Sequence, residues 1–236
     1  MTPIILIPAR MASTRLPGKP LALIAGRPMI LHMLAIAQAA ALGPVVVACA
    51  EAEIAQAVQD AGGTAILTDP ALPSGTDRIA AALHTLGGDY DTVINLQGDF
   101  PTLPPSHIAA ALLPLQAGYD IGTLVTAATA EDATNPAVVK AACAFVGPVA
   151  PALYFSRAAI PAGPGPLWHH IGIYAYTRPA LERFVGLPPS LLEQREQLEQ
   201  LRALEAGMRI GVTRVTGTVF GVDTPAELAR AKAMLL

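Results

Sequence analysis

Three observations predict an α/β fold, a mostly parallel sheet flanked by helices. Short β-rich runs alternate with alanine-rich helical segments through the first half of the chain, the runs are almost continuously apolar, and a dense group of cations follows the first of them. Residues 4–7, 44–48, 64–67, 92–96 and 121–125 read as strands, and 29–42, 53–61, 75–86 and 106–115 as helices between them. A β-α-β-α order needs crossovers that return on one side of the sheet, which makes neighbouring strands parallel. Strands buried on both faces need no polar alternation, which fits the apolar runs.

Beyond about residue 135 the pattern changes. Residues 138–146 read as a strand, IPAGPGPLW (160–168) as an irregular proline- and glycine-rich segment, and HHIGIYAY (169–176) as an aromatic strand. A charged helix is expected over 190–207 with Gly207 at its C-cap, then strands over 210–213 and 219–222. A last helix follows, capped by Asp223 or Thr224, with Pro225 in its first turn. The whole chain, 1–236, is expected as a single domain in which residues 160–215 form a smaller lobe that covers the sheet edge and mates with a second subunit.

Composition narrows the function. With 236 residues and 53% hydrophobic side chains, the chain can bury a core without disulfides or a structural metal, and disorder is excluded. Fifteen Lys and Arg against 18 Asp and Glu give no overall positive field for a nucleic-acid backbone, so no nucleic-acid partner is expected. The mean hydropathy of +0.47 raises the membrane question. The longest apolar stretch, 28–50, is interrupted by His32, Gln38 and Gly43-Pro44, and its pieces are too short to span a bilayer. MTPIILIPAR has no basic residue ahead of its apolar run and does not read as a secretory signal, so a cytoplasmic protein without membrane contact is expected. Cys49 and Cys143 have no C-x-x-C spacing and read as small buried apolar residues.

The segment IPARMASTRLPGKPL, residues 7–21, leaves the carboxyl end of the first strand, where α/β folds place ligands. Arg10, Arg15 and Lys19, interleaved with Ser13, Thr14 and Gly18, make a phosphate cradle: guanidinium forks grip oxygens in pairs and lysine adds a point charge. Neither G-x-G-x-x-G nor G-x-x-x-x-G-K-[ST] occurs, so side chains and loop amides must hold the phosphates. Asp99 and Asp223 both follow strands. Two carboxylates beside a phosphate cradle suit a divalent cation, although Asp99 reads equally as a turn residue and Asp223 as a helix cap. SGTDR (74–78) reads as a helix N-terminus with Ser74 and Thr76 as capping hydroxyls, and Gln97 offers both a donor and an acceptor. In HHIGIYAY a period of two groups His170, Gly172, Tyr174 and Tyr176 on one face, as a wall of imidazole and phenol groups or as aromatic core. On the charged helix Glu193, Glu196, Gln197 and Gln200 share a face, the remaining charges reading as a solvated or subunit-facing surface.

The run P-A-R-x-x-S-T-R-L-P-G-K-P-L, followed by GRPMI, resembles the N-terminus of the 3-deoxy-manno-octulosonate (Kdo) cytidylyltransferases. SGTDR, LQGDFP (96–101), NPAVVK (135–140), LYFSRAAIP (153–161), HHIGIYAY, LEQREQLEQLR (192–202) and GVDTP (221–225) continue it in order, so the resemblance spans nearly the whole chain. It implies a nucleotide-diphospho-sugar transferase fold with a lobe for dimerisation and sugar binding. It also implies transfer of CMP from CTP to Kdo with release of pyrophosphate, for lipopolysaccharide assembly, in a homodimer. Under it Arg10, Lys19, Asp99 and Asp223 are catalytic, and Asp99 and Asp223 hold Mg²⁺. Pro8, Ala9, Arg10, Ser13, Arg15, Lys19, Ser74, Gly75 and Gln97 meet the nucleotide; Arg78, Gln97, His170, Tyr174, Glu196 and Gln197 meet the sugar acid. A different sugar acid, of the 8-amino-Kdo or sialic acid type, would use the same loop. A noncatalytic nucleotide-sugar binder is the alternative of another class, and the presence of Lys19, Asp99 and Asp223 argues against it. Two positions depart from the family pattern: Ala50 stands where an acid is usual, and Phe100 where glutamate is common.

Overall fold

The first strand, β1 (Pro3–Ala9), buries Ile4, Ile5, Leu6 and Ile7 completely, as expected of a strand covered on both faces. The structure, a computed structural model, describes residues 1–217 and 219–235. The chain divides into two units, Met1–Ile108 with Val219–Leu236, and Ala109–Thr218. Residues 160–215 fall inside the second, which begins at Ala109.

In the first unit β1 leads through a short hairpin, β2 (Leu23–Ile24) with β3 (Arg27–Pro28), into α1 (Met29–Ala39). The hairpin turns on Ala25 and Gly26, both at positive φ (47° and 75°), the two-residue geometry that suits strand twist. Then follow β4 (Val45–Cys49), α2 (Ala52–Asp60), β5 (Thr64–Leu67), α3 (Gly75–Leu86) and β6 (Thr92–Leu96). All four long strands are parallel, in the order β5-β4-β1-β6, with Ile5 opposite Val45 on one side of β1 and Ile94 on the other. The strand order reverses at β1. Connections from β1 run outward through β4 to β5, and the chain then crosses back to place β6 on the opposite side. Such a switch point leaves a crevice beyond the carboxyl ends of the two central strands, β1 and β6. The predicted strands match these four, and residues 75–86 form the helix read from the sequence.

The expected helix over 106–115 is instead two pieces, α4 (Pro105–Ala110) and α5 (Leu113–Gln116). Pro114 has no amide to donate and its ring would meet the carbonyl four residues back, so one continuous helix cannot form. The second unit continues with β7 (Ile121–Ala127), α6 (Ala130–Thr134), β8 (Lys140–Ala142), β9 (Val149–Pro151), β10 (Tyr154–Ser156), β11 (Trp168–Thr177), α7 (Arg178–Val185), α8 (Leu191–Glu196), α9 (Gln200–Glu205) and β12 (Ile210–Arg214). Its sheet is mixed: β12 runs parallel to β7, whereas β11 pairs antiparallel with both β7 and β8, β10 with β8, and β9 with β12. The strand expected over 138–146 shrinks to β8, and ahead of its start the Lys140 ammonium gathers the carbonyls of Asn135 and Val138, with that of Arg157, at 2.6–2.9 Å. Residues 219–222 form no strand, and Val222 N donates to Asp99 O at 2.8 Å. The last helix, α10 (Pro225–Leu235), belongs to the first unit.

The helix predicted over 190–207 is interrupted at Gln197, which takes a left-handed conformation (φ 57°, ψ 46°). No glycine or proline marks the break. At the break Arg157 Nε donates to Glu196 O at 2.9 Å, taking up a carbonyl that an unbroken helix would use internally.

Candidate active site

The loop after β1 is anchored by few contacts besides those of its own cations. Leu16 is buried with Ile24, Met29, Val222 and Ala231, and Met11 N donates to Glu51 Oε2 at 2.9 Å. Gly18 takes a left-handed conformation (φ 68°) and turns the chain into a single 3₁₀ turn, Lys19–Leu21, with Pro20 in its first turn. Between these anchors the side chains of Arg10 and Arg15 stay exposed, while Lys19 points inward.

Lys19 Nζ donates to Asp99 Oδ2 and to Asp223 Oδ1, each at 2.8 Å, and Arg15 Nη2 donates to Asp223 Oδ2 at 2.8 Å. The loop after β1, the loop after β6 and the segment before α10 thus meet at one ammonium. Burial pulls the lysine pKa down, but the two carboxylates outweigh it and hold the pKa above its ordinary value. Asp223 is driven upward by burial and more strongly downward by Lys19 and Arg15, so its carboxyl lies below the usual range. Asp99 Oδ1 is buried and accepts no hydrogen bond among the described residues. The cap of α10 is Thr224, whose Oγ1 accepts from Glu227 N while Glu227 Oε2 accepts from Thr224 N. The side chain of Asp223 is therefore available to the site.

These groups border a cavity of about 340 Å³ at the switch point, large enough for part of a nucleotide. Its lining joins Pro8 and Ala9 of β1, Arg10, Ser13, Arg15 and Lys19 of the loop, Gly75 and Arg78 of α3, and Gln97, Gly98, Asp99 and Asp223. The N-terminus of α3 faces it with the positive end of the helix dipole. A Cβ on Gly75 would lie 3.2 Å from Pro8 Cγ, so glycine is what lets the helix start come this close to β1. Ser74 is the N-cap, accepting from Asp77 N and donating to Asp77 Oδ2, and it is Gly75 that lines the cavity.

Arg78 is only 1% exposed. Its Nη1 donates to Thr68 Oγ1 at 2.6 Å and to Asp69 O at 3.1 Å, whereas its Nη2 is buried without a hydrogen-bond partner among the described residues. Burial lowers its pKa against the pull of Glu51, and the charge of Arg10 adds to the lowering. Gln97 Nε2 donates to Asn95 Oδ1 at 3.0 Å. Its Oε1 lies near Gly75, 3.6 Å from where a Cβ would stand.

The remaining candidates lie in the second unit. His170 is buried, with Nε2 3.0 Å from Thr123 Oγ1, and burial takes its pKa down to about 3. Its ring packs against Phe155 (centroids 4.9 Å) and Tyr174 (5.5 Å), and Tyr174 continues to Tyr176 (6.0 Å). A register shift in β11 between Ile171 and Tyr174, bridged by Thr123 Oγ1 donating to Ile173 O at 2.7 Å, interrupts the simple period of two. Glu196 uses both carboxylate oxygens locally, Oε1 accepting from Ser156 Oγ and Oε2 from Arg157 N. Gln197 Nε2 donates to Gln194 O.

Sequence reasoning passed over Glu51, Asn95 and Thr68, which hold the loop, Gln97 and Arg78. Glu51 carried a signal, standing one residue after Ala50 and so supplying a carboxylate beside the position where the family pattern has one. Phe100 lies beside Gly221, its ring 3.7 Å from where a Cβ there would stand. Cys49 and Cys143 are unpaired, and burial pushes both thiols up to about 12.

A mostly parallel sheet flanked by helices is the fold of the nucleotide-sugar transferases. UDP-glucose pyrophosphorylase complexed with UDP-glucose shares it with a TM-score of 0.70 at 14% identity, over 100% of this chain and 98% of that one, a likeness of fold. The cytidylyltransferase family profile matches residues 4–210. The 3-deoxy-manno-octulosonate cytidylyltransferase of Paramagnetospirillum magneticum is 56% identical, over 100% of this chain and 98% of its own. That of Parvibaculum lavamentivorans is 57% identical, over 99% and 92%. CMP:2-keto-3-deoxy-manno-octonic acid synthetase complexed with CTP superposes with a TM-score of 0.92 at 40% identity, over 100% of this chain and 98% of that one. The chain belongs to the 3-deoxy-manno-octulosonate cytidylyltransferase family.

Proposed function

We propose that the protein transfers CMP from CTP to Kdo and releases pyrophosphate, supplying CMP-Kdo for lipopolysaccharide assembly. The observation that carries this reading is the meeting of three loop cations and two carboxylates at one cavity beyond β1 and β6. A sugar hydroxyl attacks the α-phosphorus, a new P–O bond forms, and the bond to the β-phosphate breaks. Arg10, Arg15 and Lys19 neutralise the β- and γ-phosphates as pyrophosphate takes up charge. The amides at the start of α3 add fixed positive dipoles. Arg78 turns an unpartnered Nη2 to an anion, for which the carboxylate of the sugar acid is the fitting group. Gln97 presents its carbonyl to a hydroxyl.

The residues fit Mg²⁺: Asp99 and Asp223 already share one cation, the lysine ammonium, and Asp99 Oδ1 is a buried acceptor without a donor. Asp99 and Asp223 would hold the ion, which when bound supplies charge on phosphate oxygens and eases deprotonation of the attacking hydroxyl. We place the reaction in the cytoplasm and assign dimerisation to the second unit, whose surface exposes Leu153 and Leu191.

Pyrophosphate release from CTP against a panel of sugar acids tests the reading. Turnover with Kdo is expected. Turnover with another sugar acid alone would move the assignment to that substrate, and none with any would leave a binding protein.

A further inference from the structure

We infer that Lys19 and Arg15 occupy the charge position of the metal until a nucleotide draws them away, so that metal entry is coupled to triphosphate binding. This rests on the reading that Asp99 and Asp223 hold a divalent cation. Three of the four carboxylate oxygens already accept from cations: Asp99 Oδ2 and Asp223 Oδ1 from Lys19, and Asp223 Oδ2 from Arg15, all at 2.8 Å. Only Asp99 Oδ1 is unengaged. One oxygen is a poor site for an ion that takes its ligands from carboxylates, phosphates and water.

Charge counting gives the same result. Two carboxylates, one ammonium and one guanidinium form a neutral quartet, and a divalent ion added to it would leave two uncompensated positive charges in a partly buried cluster. A triphosphate changes this. Lys19 and Arg15 sit on a flexible stem and an exposed loop, and phosphate oxygens offer them more negative charge than the carboxylates do. Once they turn to the phosphates, Asp99 and Asp223 face each other without a cation, and a divalent ion restores neutrality. The two ligands then promote each other's binding by one shared factor.

The test is a Mn²⁺ titration of the full chain without nucleotide, followed by the paramagnetic resonance signal of the free ion. Wild type is expected to bind weakly and Lys19→Met at least about tenfold more tightly. Lys19→Met/Asp99→Asn should lose that gain. Arg15→Met, an exposed loop change that frees Asp223 Oδ2, should tighten Mn²⁺ by a smaller factor, and serves if Lys19→Met does not fold. Equal, tight binding by wild type and both single variants, abolished by Asp99→Asn, would overturn the exchange while leaving the metal site standing. Failure of both single variants to bind Mn²⁺, or binding indifferent to Asp99→Asn, would overturn the metal site and the exchange with it.

Discussion

Arg78→Met removes a guanidinium that the fold holds in an unusual way. The side chain is 1% exposed, two hydrogen bonds hold Nη1, and Nη2 is buried with no partner. A hydrogen bond from a charged donor to an anion contributes about 1.5–3 kcal/mol. At about 1.4 kcal/mol per factor of ten, its loss should lower kcat/KM for the sugar acid by roughly 10- to 150-fold. Stability should change little. Thr68 keeps its backbone and hydroxyl bonds to Cys49 O at 2.8 and 3.0 Å, so the loop before α3 stays tied, and removal of an unpaired buried charge offsets the lost bond to Asp69 O. A net loss of about 1 kcal/mol would shift Tm by about 2–4 °C. Steady-state kinetics with each substrate varied in turn, beside a thermal melt, separates the two effects. An unchanged kcat/KM in a folded variant would refute the idea that Nη2 awaits an anion, and a defect confined to the KM for CTP would reassign that anion to the nucleotide.

Asp99→Asn should lower kcat/KM by roughly 100- to 1000-fold, as loss of an electrostatic group in the transition state does, and steady-state assays at saturating Mg²⁺ measure it. Lys140→Met removes three bonds from a fully buried ammonium to carbonyls and should cost about 3 kcal/mol, lowering Tm by roughly 6–12 °C. Burial lowers the folded-state pKa of Lys140, with Arg157 adding against the pull of Asp132, so the unfolded chain binds more protons between that pKa and the ordinary lysine value. Wild-type stability should therefore rise with pH through that alkaline window, and Lys140→Met should lose this rise in melts run across it. His170, held near pKa 3, stays neutral between about pH 5 and 8, so a pH-rate profile over that range should keep its shape in His170→Asn. Gly122→Ala would put a Cβ 2.2 Å from Ala111 O and should cost about 3 kcal/mol or more by chemical denaturation.

What was legible in the sequence was what local chemistry decides. The apolar runs of the first unit marked β1, β4 and β6 within a few residues, because strands buried on both faces must be apolar, and β5, a half-exposed edge strand, was legible through the Gly62-Gly63 break before it. The Gly75–Leu86 helix was legible through its Ser74 cap. The breaks were not legible. Gln197 leaves the helix where a guanidinium some forty residues earlier takes the carbonyl of Glu196, and β8 starts where one ammonium collects three carbonyls. Nothing in the local sequence announces a partner that arrives from another segment.

The same distinction sorts the site. Arg10, Arg15, Lys19, Gln97 and Asp99 were readable because topology places them: each follows a parallel strand, and the reversal at β1 sends the ends of β1 and β6 to one crevice. Asp223 carried two readings in the sequence, and the structure separates them by giving the helix cap to Thr224 and Glu227. Glu196 shows the converse. The family resemblance, not its place on the helix, suggested a sugar contact, and in the structure both of its oxygens already accept locally, from Ser156 Oγ and Arg157 N. A scarce charge is therefore informative about ligands only after its internal partners are counted. By that count Arg78 and Asp99, which both line the cavity, each carry a buried atom, Nη2 and Oδ1, without a hydrogen-bond partner among the described residues, and these are the groups on which a ligand's contribution is best measured.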